Sequence, residues 1–302
     1  MNKTWYIIFN PTSGGGKSKN KLNKILALFH QYNLKVITAI TQYPHHEEEL
    51  VTIAIKKGYT QFVCIGGDGT IHHIINGIMR QAYIDSNQIK LAVIPIGTGN
   101  DWVKNYNIPR NTENAVQLIQ NNNCILQDIG MITLLENKKQ IFFNNAAGIG
   151  FDAYVVKNLY YYKKWGSLAY LFAALFSFKS FKNGVFSVFT DNKEIKSNFF
   201  MICIGIGKYS GAGMQLTDFK NHKKGYFDVT LIRSIKLLKV ILNITKLYNG
   251  RINQLNEVES SHVQELTTHG NTSLFIQADG EIIGNGDVCI NLIPEAIQFI
   301  IK

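Results

Sequence analysis

The sequence predicts an α/β domain with a parallel sheet in residues 1–125, followed by a mainly antiparallel β domain in residues 126–302. Three observations carry this reading. Strand-like and helix-like patterns alternate through the first 125 residues, as they do around a parallel sheet covered by helices on both faces. After about Cys124 strand-like runs dominate. A chain of 302 residues is also long for one core.

The first strand is the apolar run 5–9, which leads into a loop at Asn10. Leu22, Ile25, Leu26 and Phe29 then recur at i, i+3, i+4 and i+7, one face of a helix. Residues 34–41 are β-rich, a helix follows over about 47–57, and Gly58 stops it. Residues 61–65 read as a buried strand, and Ile71, Ile74, Ile75 and Ile78 form the next helical stripe. A strand at 90–94 and a helix at 112–120 complete the alternation. Beyond Cys124, strands are expected at 140–144, 185–190, 199–204, 226–232, 272–277, 288–292 and 296–301. Asp191-Asn192 has the character of a hairpin tip. Residues 159–182 form an aromatic, lysine-flanked insert with Lys163, Lys164, Lys179 and Lys182 around an apolar stretch too short to span a bilayer. A membrane-facing or lipid-lining helix fits it, as does a helix buried against the β domain, the reading preferred for most of its surface, with flanking lysines able to meet acidic head groups.

Composition narrows the function. The apolar fraction of 46% belongs to a globular chain. Cys64, Cys124, Cys203 and Cys289 show no metal or redox spacing and read as buried thiols of a reducing compartment. The N-terminal apolar run is too short for a signal peptide, so a cytoplasmic protein is expected. The net charge of +10 favours anionic partners. Without a nucleic-acid-binding signature, nucleotide and acidic membrane are the expected ones, and nucleic acid is not.

Glycine-rich loops follow the strands of the first domain, where ligands of parallel sheets bind. The first is NPTSGGGKSK, residues 10–19. A P-loop would need glycine at position 11, which is Pro11, so Lys17 and Ser18 do not complete one. A different phosphate cradle and a plain surface turn both fit the loop. The second, CIGGDGTIHHIING, is more informative. Gly66, Gly67 and Gly69 let backbone approach a ligand, and Thr70 is placed to cap the following helix. Asp68 would repel phosphates unless it meets a bridging Mg²⁺. The third, PIGTGNDW, offers Thr98 and Asn100 to phosphate and Asp101 to metal or a substrate hydroxyl, although Asn-Asp also favours an ordinary turn. Thr41 ends the second strand and could reach phosphate or ribose. His45 and His46 follow it, and adjacency alone does not point to a metal.

In this order and spacing, NPTSGGG, GGDGT and GTGND resemble the diacylglycerol kinase catalytic-domain family, which holds soluble bacterial lipid kinases, sphingosine kinases and ceramide kinases. NNAAGIGFDA, GSLAYL, GKYSGAGM, KGYFDV and ADGE extend the resemblance over nearly the whole chain. It implies a three-layer α/β nucleotide domain, a β-sandwich domain and a cleft between them. It also implies MgATP as donor and a lipid hydroxyl as acceptor, at the cytoplasmic surface of an anionic membrane. Carried over by position, Asn10, Pro11, Thr12, Ser13, Gly14, Thr41, Gly66, Gly67, Asp68, Gly69, Thr70, Ile71, His72 and Thr98 match ATP-contacting positions. Asp68 matches the magnesium-associated aspartate, and Asp279 and Glu281 match the acidic pair that supplies the base at the acceptor. Locally, Asp279-Gly280 also reads as a plain turn between two β runs. The chain departs from the family at Lys223 and Lys224, where acidic residues commonly hold a structural Mg²⁺. Lysine cannot ligate it, so that metal is not expected.

A soluble-substrate kinase of the NAD kinase type and a catalytically silent membrane- or nucleotide-binding module are the alternatives. The sequence is compatible with a homodimer.

Overall fold

The computed structural model describes residues 4–16, 21–97, 99–159, 169–191, 193–217, 224–271 and 273–302. Lys17, Ser18, Thr98, Lys163, Lys164, Asn192, Asp218 and Lys223 lie outside the described residues, as does the start of the GSLAYL block. The chain forms two compact units, Met1–Ile129 with Pro294–Lys302, and Gly130–Ile293.

In the first unit, β1 (Trp5–Phe9), α1 (Leu22–Gln31), β2 (Val36–Ile40), α2 (His46–Lys56), β3 (Gln61–Gly66), α3 (Asp68–Arg80), β4 (Lys90–Pro95), α4 (Asp101–Asn105) and α5 (Thr112–Asn121) follow one another. β2, β1, β3 and β4 lie side by side in that order, all parallel. Phe62 to Ile65 in β3 and Leu91 to Ile94 in β4 are buried at every position. That is the pattern of strands covered on both faces. α3 is the most enclosed helix of the unit: Ile71, Ile74, Ile75 and Ile78 are at most 1% exposed, as its isoleucine stripe implied. In α1 the buried face is Ile25, Leu28 and Phe29, so Leu28 takes the place expected for Leu26.

The second unit holds residues 130–134 of β5 (Cys124–Leu134), then β6 (Gln140–Phe143), β7 (Ala146–Gly150), α6 (Phe151–Asn158), α7 (Ala169–Phe178), β8 (Gly184–Thr190), β9 (Lys193–Gly205), β10 (Phe227–Arg233), α8 (Leu237–Leu242), α9 (Ile244–Asn249), β11 (Val258–Val263), β12 (Glu265–His269), β13 (Phe275–Ala278), β14 (Glu281–Asn285) and residues 288–293 of β15 (Val288–Ile300). The pairings of β5 to β6, β7 to β9, β8 to β9, β9 to β10, β10 to β11, β8 to β12, β7 to β13 and β13 to β14 are antiparallel, the β-sandwich-like arrangement expected. β9 buries both faces. Phe199, Ile202 and Ile204 join the sandwich core with Phe143, Phe186 and Phe227. Phe200, Met201 and Cys203 pack with Phe151 and Val155 of α6 in a second core.

Two expectations are corrected. The runs at 288–292 and 296–301 are one strand, β15. Pro294, which lacks an N–H, falls between the two runs. The strand instead continues through Glu295 at φ 49°, whose N–H donates to Asp128 Oδ1 at 2.9 Å. Past this point Gln298 and Phe299 pair parallel with Lys90 and Leu91, so the chain's last residues give the first sheet a fifth strand. The four cysteines are also not uniformly buried. Cys64 and Cys203 are, but Cys289 is half-exposed and Cys124 exposed.

Candidate active site

Four loops leave β1, β2, β3 and β4 at the carboxyl end of the first sheet, and specific contacts lock three of them together. The Asn10 N–H donates to Ile65 O at 3.1 Å. Its side-chain amide donates to Thr70 Oγ1 at 3.1 Å and Glu47 Oε1 at 3.2 Å. Its Oδ1 accepts from the N–H and the hydroxyl of Thr12. Asn10 is therefore the tie between the first loop, α2 and α3. The turn of Ser13–Gly16 follows, with Gly14, Gly15 and Gly16 all left-handed. A Cβ on Gly14 would lie 2.6 Å from Ile96 O, so this loop rests directly on the loop after β4. Gly15 and Gly16 border open space. Backbone there is accessible to an anion.

The loops after β3 and β4 touch backbone to backbone. A Cβ on Gly97 would meet Gly67 Cα at 2.6 Å, which explains glycine at both positions. Asp68 opens α3, where its charge complements the helix dipole. Its Oδ2 accepts the Asn100 N–H at 2.7 Å, and the Asn100 amide donates to Gly97 O at 2.7 Å. Asn100 is left-handed, φ 51°, a conformation that asparagine tolerates. Asp101, first residue of α4, pairs with Lys104 at 2.7 Å. The structure thus brings together Asn10, Pro11, Thr12, Ser13, Gly14, Gly66, Gly67, Asp68, Gly69, Thr70, Asn100 and Asp101. Thr41 closes β2 beside them, its N–H bonded to Phe9 O.

One expected role changes. Thr70 does not cap α3. The cap position is Gly67, with no side-chain cap bond, and Thr70 faces Asn10 from inside the first turn. Ile71 and His72 are buried, 1% and 4% exposed, beneath the loops. The Asn76 amide donates to the His72 carbonyl, which anchors this buried pair.

In the second unit, Asp279 and Gly280 form the two-residue turn between β13 and β14, at φ 50° and 85°. Aspartate-glycine is a preferred pair for this type I′ geometry. The Asp279 carboxylate accepts three backbone N–H groups, from Asn144 at 3.0 Å, Asn145 at 3.0 Å and Ala146 at 3.1 Å. It thereby fixes the 144–146 turn. Glu281, two residues on, is exposed at the start of β14.

Sequence reading passed over Asp152. It lies at the start of α6, on the wall of an apolar cavity lined by Phe151, Phe178, Met201, Met214 and Ile241 among others. Its Oδ2 accepts from the Gln277 amide at 3.0 Å, and Gln277 Oε1 accepts the Gly280 N–H at 2.9 Å. The cavity wall is therefore joined to the acidic turn through one glutamine. Burial pushes the Asp152 carboxyl up to about 6, against the lowering effect of the Gln277 bond and neighbouring backbone N–H groups. A carboxyl raised in the folded state contributes most below its unfolded pKa, near 4, and loses that contribution as pH rises through 6. Ionisation at neutral pH then costs about 3 kcal/mol. Asp152→Asn is expected to flatten the pH dependence of unfolding free energy between pH 4 and 6, measured by denaturant titration. An unchanged slope would refute this account.

The diacylglycerol kinase catalytic domain matches residues 4–132, and the YegS C-terminal NAD kinase beta sandwich-like domain matches residues 145–301. A Bacillus subtilis (strain 168) protein provisionally named lipid kinase YtlR is 25% identical over 93% of this chain and 94% of its own. A protein from Mycobacterium tuberculosis (strain H37Rv) named diacylglycerol kinase is 24% identical over 96% of this chain and 92% of its own. A crystal structure described as a diacylglycerol kinase from Bacillus anthracis str. Sterne superposes with a TM-score of 0.74 at 17% identity, covering 99% of this chain and 97% of that one. With both domain types matched in succession and the glycine loops assembled at one sheet end, the chain belongs to the lipid kinase family that joins a diacylglycerol kinase catalytic domain to a YegS-type C-terminal domain.

Proposed function

We propose that this protein is an ATP- and Mg²⁺-dependent kinase that phosphorylates the hydroxyl of a diacylglycerol-like lipid at an anionic membrane surface. The observation that carries the reading is the apolar cavity of the second unit, tied through Asp152 and Gln277 to the turn that bears Asp279 and Glu281. A cavity with almost no polar lining suits acyl chain, and the adjoining carboxylates suit a hydroxyl that must lose a proton.

The loops of the first unit fit a triphosphate. Backbone at Gly15 and Gly16 is open to solvent, and the first N–H groups of α3 point out of its N-terminus. Asp68 and Asp101 offer the hard oxygen donors that Mg²⁺ takes, directly or through water. Bound there, the ion would neutralise charge on the transferring phosphoryl group. Glu281 is the better-placed base, since Asp279 is committed to three N–H donors. A carboxylate suffices because the acceptor proton leaves late.

Around the cavity the second unit exposes Phe176 of α7 (64%) and Leu238 and Leu242 of α8 (67% and 73%). Lys179, Lys182 and Lys236 flank these residues and are exposed. Apolar side chains with adjacent lysines suit insertion into an anionic bilayer. Among the described residues no helix is long and apolar enough to cross a membrane.

The test is incubation of purified protein with total lipid extract and γ-labelled ATP, with Mg²⁺ or with chelator. Label in a lipid-soluble product, lost with chelator, is expected. A water-soluble product, or no transfer, sinks the proposal. The paired substitution Leu238→Glu with Leu242→Glu is expected to weaken binding to anionic vesicles at least about tenfold, because each leucine contributes about 1.5–3 kcal/mol on burial. Unchanged sedimentation with vesicles would remove α8 from the membrane face.

A further inference from the structure

We propose that His45, Glu48 and His73 form a binding site for a divalent transition cation of the zinc class, on the pair of helices α2 and α3. His45 Nδ1 lies 3.2 Å from His73 Nδ1, and His73 Nδ1 lies 3.1 Å from Glu48 Oε1. The three ligand atoms all fall within 4.8 Å of one another.

Proton counting singles the cluster out. His73 Nδ1 faces both an imidazole nitrogen and a carboxylate oxygen, yet it carries at most one proton. If it is protonated, one hydrogen serves two acceptors. If it is not, its lone pair confronts the carboxylate. A cation between the three atoms accepts all three lone pairs at once. The dimensions suit this: ligands about 2.0–2.1 Å from Zn²⁺ at tetrahedral angles stand roughly 3.3–3.4 Å apart. The two separations at His73 Nδ1 need to open by only a few tenths of an ångström. Two imidazoles and one carboxylate are a zinc-type donor set, whereas Mg²⁺ and Ca²⁺ take oxygen ligands. The donor set leaves a fourth position for water.

The surrounding structure holds these atoms in place. His45 sits before α2 in the left-handed region at φ 66°, uncommon for residues other than glycine, though histidine is among those enriched there. Its ring meets that of His73 edge-on at 4.2 Å. α2 approaches α3 closely at Gly77, where a Cβ would lie 3.0 Å from Glu48 Cα. Arg80 binds Glu48 Oε2, leaving Oε1 turned to the histidines. An outer partner of this kind orients a metal-binding carboxylate. Burial alone would raise the Glu48 carboxyl, but the His73 bond and the charges of Arg80, His73 and His72 hold it below its usual value. His46, the neighbour in sequence, plays no part. Its Nδ1 accepts the Gln42 N–H at 3.1 Å.

His45 belongs to the loop after β2, four residues beyond Thr41. His73 lies five residues beyond Asp68, about 7.5 Å along the axis of α3 and on another face. A cation here would clamp α2 to the helix whose N-terminus faces the proposed nucleotide.

The experiment uses the full chain, stripped with chelator and titrated with Zn²⁺ against a chromogenic chelator, with Co²⁺ as a spectroscopic stand-in. One equivalent is expected to bind, to raise the melting temperature, and to give visible Co²⁺ bands of low-coordinate imidazole ligation. His45→Ala and His73→Ala are each expected to weaken binding more than about 100-fold, beyond the cost of losing an outer partner. Both should also abolish the thermal shift. His46→Ala should leave binding intact. No saturable binding in the wild type overturns the proposal, as does undiminished binding in His45→Ala. The exposed His45 keeps the test valid if His73→Ala does not fold.

Discussion

Gly97→Ala is expected to slow phosphoryl transfer about 100-fold while leaving most of the fold in place. The new Cβ would stand 2.6 Å from Gly67 Cα and 2.7 Å from Asn100 Oδ1. The first of these is backbone and cannot rotate away, so the two loops must separate. That separation disrupts the Asn100 contact that fixes Asp68, and it shifts the ledge at Ile96 on which Gly14 rests. Overpacking of this kind costs about 1–3 kcal/mol. The larger effect is on catalysis, because a misplacement near 1 Å costs about 100-fold. Steady-state kinetics with ATP as the varied substrate, beside a thermal melt, separates the two. Wild-type kcat/KM for ATP would show that the loops need not touch.

Those loops were legible in the sequence because their signal is local. Gly66 ends an apolar strand and glycines at 14, 67 and 97 follow one, and a parallel sheet places all such loops at one end. Which glycine touches which was not legible, since Gly67 and Gly97 meet only when β3 and β4 lie side by side. Asp152 was missed for a similar reason. Its bond to Gln277 and the pairing of β7 with β13 bring together residues some 125 positions apart in sequence. β11 and β12 went unread because VESSHV and ELTTH are too polar to announce strands. They are strands because β10 and β8 pair with them. The His45, Glu48 and His73 cluster hides across 28 residues, while the conspicuous His45-His46 adjacency is irrelevant to it.

Asp279→Asn and Glu281→Gln are expected to fail in different ways, and the difference assigns the base. Asparagine at 279 keeps one acceptor oxygen but turns an NH₂ group toward backbone N–H donors now served by Oδ1 and Oδ2. Bonds to a charged acceptor contribute about 1.5–3 kcal/mol, so losing one or two destabilises the second unit by roughly 2–4 kcal/mol. For a unit of this size that lowers the melting temperature by roughly 4–15 °C. Activity falls with it, because the 144–146 turn loosens. Glutamine at the exposed Glu281 removes no such anchor. Its melting temperature should match the wild type, while kcat falls about 10²–10⁴-fold if this carboxylate takes the acceptor proton. A stable, inactive Asp279→Asn beside an active Glu281→Gln would reverse the assignment. It would make Asp279 both the anchor of its turn and the base, with the three N–H donors holding it in place for proton transfer.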